Sequence, residues 1–180
     1  MAKDHDPQRL DVRRFAEEGA ELEASDDLAR YQRLKAETQP GEDPRAVHWH
    51  VRGEMLNPHH HQPQVWLHLE ADATLPLVCQ RCLRPVDVPL EVVRSFRFVA
   101  DEATAAAEDD EAEEDLLALS RSFDLLELVE DELLMELPVA PRHDVCPEAV
   151  KMSVADPDFE TATSEREHPF AILGKLKPGK

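Results

Sequence analysis

Three features of the sequence predict an α+β fold. Apolar residues at helical spacing occupy residues 11–37, the apolar period drops to two after Arg45 and holds to about residue 99, and a capped, proline-terminated helical pattern returns at 125–137. Helical segments flanking a run of strands read as an antiparallel sheet, over about 45–99, carrying N-terminal helices and a later acidic helix.

Residues 1–10 are polar and read as a loose N-terminus. In the next segment Val12, Phe15 and Ala16 fall at i, i+3 and i+4, and Leu22, Leu28, Tyr31 and Leu34 continue the apolar positions. Asp11 can cap a first helix that Gly19 stops, and Ser25 or Asp26 can cap a second that runs to about Lys35. Two prolines and a glycine in the stretch from Thr38 to Pro44 make it a linker or turn.

Val47, Trp49 and Val51 alternate with His48, His50 and Arg52, the pattern of a half-buried strand. After a turn-rich loop, Asn57 to Pro63, alternation resumes with Val65, Leu67 and Leu69 inside and Trp66 and His68 outside, giving an antiparallel neighbour. Ala73 to Val78 is a third apolar run. Cys79 to Pro85 is a tight reversal, and Val86, Val88, Leu90 and Val92 make a fourth strand that Phe96 and Phe98 extend. Pro89 inside it calls for an edge or a bulge, because proline cannot donate to a ladder.

Residues 101–115 hold nine acidic residues and five alanines, which reads as a solvated loop or frayed helix. Leu116 to Leu119 is a candidate short strand. Asp124 with Glu127 has the form of a capping box, and Leu125, Leu128, Val129, Leu133 and Leu137 make the core stripe of a helix that Pro138 ends. An irregular acidic arm, 141–168, and a short apolar and basic segment, 169–180, complete the chain, so residues 11–140 are expected to form one domain.

The 180 residues carry 39 acidic and 20 basic side chains, a formal charge of −19. A uniform electrostatic grip on nucleic acid or an anionic membrane is disfavoured by that field. No stretch reaches the roughly 18–20 apolar residues of a membrane span, and the charged N-terminus lacks an apolar signal region, so a cytoplasmic location is expected. Three cysteines do not make a disulfide framework.

Cys79 and Cys82 have the spacing of a zinc knuckle, and His143 and Cys146 repeat it, so a Cys₃His zinc site can be drawn. The alternative is a pair of reduced thiols at a hairpin corner with Cys146 in a loop, and the expectation is that the protein works without a cofactor. A thioredoxin-like role fits poorly, since such dithiols start a helix and here strands flank the pair. His59, His60 and His61 read as a solvated hairpin tip. Glu130, Asp131 and Glu132 are neighbours on one helix and point in different directions, unlike a paired acid and base. No nucleophile triad, glycine-rich phosphate loop or HExxH occurs, so no catalytic residue is assigned and an enzyme is not expected. Arg81, Arg84, Arg94 and Arg97, with Trp66 and Phe96, offer a second reading, a small zinc-clasped module whose arginine-rich strand face grips single-stranded RNA.

Three segments resemble the YceD family of small bacterial proteins. They are Cys79-Gln80-Arg81-Cys82, then Phe123-Asp124-Leu125 through Glu130-Asp131-Glu132-Leu133 to Leu137-Pro138 with Pro141 and His143 beyond, then Pro169-Phe170-Ala171-Ile172-Leu173 before a basic tail. Leu10, Asp11, Arg14, Ala16, Arg33 and Leu34 fit the family's opening, so the resemblance spans nearly the whole chain. Some relatives carry further CxxC-type cysteines after the Leu-Pro helix; here that place holds His143-Asp144-Val145-Cys146. The resemblance implies a role in accumulation of large-subunit ribosomal RNA without enzymatic activity. Cys79, Arg81, Cys82, Glu130, Asp131, Glu132, Pro138, Pro169, Phe170 and Leu173 become the candidate motif or partner-binding residues. With the charge, this makes an acidic adaptor whose expected partners are basic ribosomal or RNA-processing proteins, or ribosomal RNA. The expected partner surface is the sheet's solvent face and the acidic helix.

Overall fold

The computed structural model describes residues 5–39, 45–59, 63–148 and 154. The chain divides into two units, Met1–Val145 and Cys146–Lys180. The elements of the first unit run α1 (Val12–Glu17), β1 (Glu21–Asp27), a 3₁₀ turn (Leu28–Arg30), α2 (Gln32–Ala36), β2 (Ala46–Leu56), β3 (Gln64–Val78), β4 (Pro85–Val99), α3 (Glu102–Glu108), β5 (Asp115–Ala118) and α4 (Leu125–Met135). The architecture is α+β: one five-stranded sheet in the order β1-β2-β3-β4-β5, antiparallel except for the parallel β4–β5 pair.

The N-terminal segment departs from the expected pair of longer helices. Asp11 caps α1 by accepting from the Arg14 N–H. Gly19, at φ +57, closes the helix, with Gly19 N–H donating to Ala16 O and Ala20 N–H to Phe15 O. The chain then enters a strand rather than a second helix: β1 pairs along its length with β2, from Glu21 opposite Arg52 to Asp27 opposite Ala46. Glu, Leu and Ala favour helix locally, but the waiting edge of β2 decides the outcome. The N-terminus is tied in from His5 onward, since Leu10 is buried and exchanges both backbone hydrogen bonds with Phe123.

The two apolar runs read at 65–69 and 73–78 are one strand. Glu70, Asp72 and Thr74 lie on the outer face and leave the inward series Val65, Leu67, Leu69, Ala71, Ala73, Leu75 and Leu77 unbroken. Pro89 pairs with Thr74, and β5 reaches β4 only at Phe96–Val99, so proline sits where β4 is the sheet edge. The acidic stretch 101–115 is more ordered than expected. Asp101 caps α3, Ala105 is buried, and Arg97 holds Glu108 and Glu114. The helix expected over 125–137 stops at Met135, because Pro138 disfavours helical geometry at Leu137 and the last turn tightens.

Helices α1 and α4 pack on the same face of the sheet, and α2 packs on α4. Phe15, Tyr31, Leu34, Leu67, Leu69, Leu125 and Leu133 are fully enclosed between them. The approach of α1 to β2 requires Gly53: a Cβ there would lie 2.7 Å from Phe15 Cδ1 and 2.9 Å from the Ala16 backbone. At the β1 edge, Asp26 Oδ2 accepts from both the Tyr31 hydroxyl and Trp49 Nε1, each at 2.9 Å.

Candidate functional site

The acidic helix is built into the fold. Glu130 and Glu132 are buried, and Asp131 is half-buried. Tyr31 stands at the N-cap of α2 and makes no side-chain cap, so the first N–H groups of that helix need an acceptor from elsewhere. Glu130 supplies it. One carboxylate oxygen accepts from the Arg33 N–H (2.8 Å) and the Leu34 N–H (3.1 Å), and the other accepts from Arg33 Nε (3.0 Å). Arg33 also pairs with Asp131. Glu132 faces Arg94 at 3.5 Å, and burial raises its pKa above the ordinary carboxylate value despite that arginine. All three acids expected to meet a partner are therefore paired within the domain, Glu130 and Asp131 with Arg33 and Glu132 with Arg94, and they hold α4 to α2 and β4.

The arginine-rich strand face of the second reading does not form. Arg94 and Arg97 are three residues apart and fall on opposite faces of β4. Arg94 lies on the helix side with Glu132, Arg97 is tied to Glu108 and Glu114, and Phe96 is buried. Arg81 and Arg84 belong to the β3–β4 turn.

The open face of the sheet is acidic. Register places Glu23, His50, Glu70 and Val93 in one row across four strands, and Ser25, His48, Asp72 and Glu91 in the next. These rows line a concavity of about 730 Å³. No ion pair among the described residues involves Glu23, Glu70, Asp72 or Glu91. Asp72 and Glu91 are directly opposite each other, a cross-strand arrangement in which like charges destabilise the sheet. Sequence reading assigned an outer face to these strands but not this row, which depends on register across four strands.

The β3–β4 turn gathers the sulfur chemistry. Cys79 N–H donates to Arg84 O, Leu83 N–H donates to Cys79 O, and Leu83 takes φ +60, which folds the turn back on itself. Cys79 is fully buried and Cys82 half-buried, both as free thiols. Burial pushes the Cys79 thiol up, but N–H groups of Cys82, His143 and Arg81 and the His143 side chain outweigh it, leaving a pKa of about 5. His143 arrives from the segment after α4, where Gln80 N–H donates to Pro141 O at 2.8 Å. His143 Nδ1 lies 3.5 Å from Cys82 Sγ, and the ligand atoms of Cys79, Cys82 and His143 lie within 4.8 Å of one another. Cys146, three residues past His143, opens the second unit. Pro138 and Arg81 are exposed; Pro169, Phe170 and Leu173, with His60 and His61, lie outside the described residues.

Residues 67–177 match the model of the YceD family, described as large ribosomal RNA subunit accumulation protein YceD. The chain belongs to the YceD family. The match takes in the cysteine turn, the open-face acids of β3 and β4, α4 and the Pro-Phe-Ala segment. It begins at residue 67, so the N-terminal likeness from Leu10 to Leu34 is not part of it. The YceD description names a role in ribosomal RNA accumulation, not a reaction. No solved structure matches the chain. Among the described residues no helix is long and apolar enough to cross a membrane.

Proposed function

We propose that this YceD protein supports accumulation of large-subunit ribosomal RNA as a non-catalytic adaptor in the cytoplasm, its open sheet face receiving a lysine- and arginine-rich segment of a ribosomal or RNA-processing protein. The observation that carries the reading is the carboxylate row across the concavity, above all Asp72 opposite Glu91. A sheet gains nothing for its own stability from that pair. A basic chain laid across it would neutralise the repulsion. The formal charge of −19 would steer such a partner toward the surface.

The acidic stretch after β4 has a smaller part in this reading. Glu108 and Glu114 are occupied by Arg97, while Asp109, Asp110, Glu111 and Glu113 are exposed and add to the field. Direct RNA binding is the weaker alternative, since the expected arginine face is divided between the two sides of β4.

The test is binding of purified basic large-subunit ribosomal proteins to the full chain, with Glu70→Gln/Asp72→Asn/Glu91→Gln as the variant. Binding that weakens with salt and falls about tenfold in the variant supports the proposal, as three exposed charge contacts of about 0.5 kcal/mol each would give. Unchanged binding, or binding of ribosomal RNA in place of the proteins, overturns it.

A further inference from the structure

The β3–β4 turn and the segment after α4 are joined by a feature the adaptor role does not use. We infer that Cys79, Cys82 and His143 form three corners of a structural zinc site. A tetrahedral zinc with Zn–S near 2.3 Å and Zn–N near 2.05 Å holds sulfur and nitrogen about 3.5 Å apart. Cys82 Sγ and His143 Nδ1 are 3.5 Å apart. Cys79 joins them inside a 4.8 Å cluster.

The turn has the construction that thiolate–metal sites need. A short loop reverses the chain through a left-handed Leu83 and directs backbone N–H groups of Arg81 and Cys82 at the Cys79 sulfur. Those donors satisfy a buried thiolate's remaining lone pairs once the metal is bound. The alternative uses of the pair fit less well. A redox CxxC sits at the start of a helix, and this one lies between two strands. A catalytic zinc keeps one position open for water, whereas Cys79 is fully buried at this turn.

The consequence is mechanical. After α4 the chain has neither helix nor strand through residue 148, and the Gln80–Pro141 hydrogen bond fastens it to the sheet near His143. Zinc would staple the chain around His143 to the end of the β3–β4 hairpin. Binding free energy at such a site appears as folding free energy of the elements it joins.

The experiment uses the full, tag-free chain. Zinc content is measured after purification, and the apo protein is titrated with Co²⁺ while the visible d–d and sulfur-to-cobalt charge-transfer bands are followed. The expected result is close to one equivalent of zinc and a saturable tetrahedral cobalt spectrum. Because Cys79 is fully buried and its replacement can unfold the chain, the informative variants are Cys82→Ser and His143→Ala. Each should weaken zinc at least tenfold with the far-ultraviolet circular dichroism of the sheet retained. Replacing His59, His60 and His61 with Ala should leave zinc content unchanged. Less than a tenth of an equivalent with no cobalt bands, a Cys79–Cys82 disulfide in protein prepared from a reducing cytosol, or loss of metal only with the histidine tract would overturn the inference.

Discussion

Replacing Glu130 with Ala should cost the domain about 3 kcal/mol, and the structure shows why. Glu130 is 9% exposed and makes three hydrogen bonds across 96 to 97 residues of sequence. Removing its carboxylate orphans the N–H of Leu34, a residue with no solvent exposure, at about 2 kcal/mol. The Arg33 N–H, beside a half-exposed side chain, can recover water and adds about 0.5 kcal/mol. Loss of the Arg33 ion pair adds about 0.5 kcal/mol more. Unfolding entropy near 2.1 cal/mol/K per residue gives about 0.3 kcal/mol/K for a unit of 145 residues, so the melting temperature should fall by about 10 °C. Glu130→Gln keeps a carbonyl oxygen for the two amides and should lose about 1 kcal/mol, or about 3 °C. Thermal unfolding followed by circular dichroism reads both. A Glu130→Ala melt within 2 °C of wild type would refute the capping argument and return this acid to the pool of partner-facing charges.

Two further perturbations probe the same framework. Gly53→Ala places a methyl against Phe15 and the Ala16 backbone, and since the backbone cannot swing aside it should destabilise by about 2 kcal/mol; urea unfolding would show it as a lower midpoint, and an unchanged midpoint would mean α1 does not approach β2 this closely. Glu132→Gln tests the buried carboxylate by its pH dependence. Burial raises the Glu132 pKa in the folded state, so ionisation costs stability as pH rises from the ordinary value of 4.5, and the cost is absent once pH falls below that value. The Gln variant should therefore melt higher than wild type at pH 7 and no differently below pH 4; a variant less stable at pH 7 would show that Arg94 outweighs burial.

The parts of this fold that were legible in the sequence are those set by neighbours in the chain. Alternation from Val47 to Val51 and from Val65 to Leu69, the Asp124 cap and the Gly19 stop each reflect local geometry, and the structure realises them. The Cys79–Cys82 spacing belongs to the same class, since a two-residue gap places both thiols on one turn, whereas the approach of His143 to Cys82 spans 61 residues. The parts that stayed hidden depend on distant partners. β1 is written in helix formers and becomes a strand because β2 offers an edge. β5 joins parallel to β4, a pairing no local pattern encodes. Glu130 looks like surface charge on an acidic helix, and its role follows from Tyr31, which cannot cap α2. The division of Arg94 and Arg97 between two faces was available from strand period alone once the strand was known to continue unbroken through both.

The adaptor reading is tested most directly in cells of the source organism whose sole copy of the gene carries Glu70→Gln/Asp72→Asn/Glu91→Gln. The ratio of large- to small-subunit ribosomal RNA is measured alongside the cellular level and melting temperature of the variant. A lowered ratio with protein level and stability intact is the predicted result. A ratio equal to wild type, with the open-face carboxylates gone, would contradict the account.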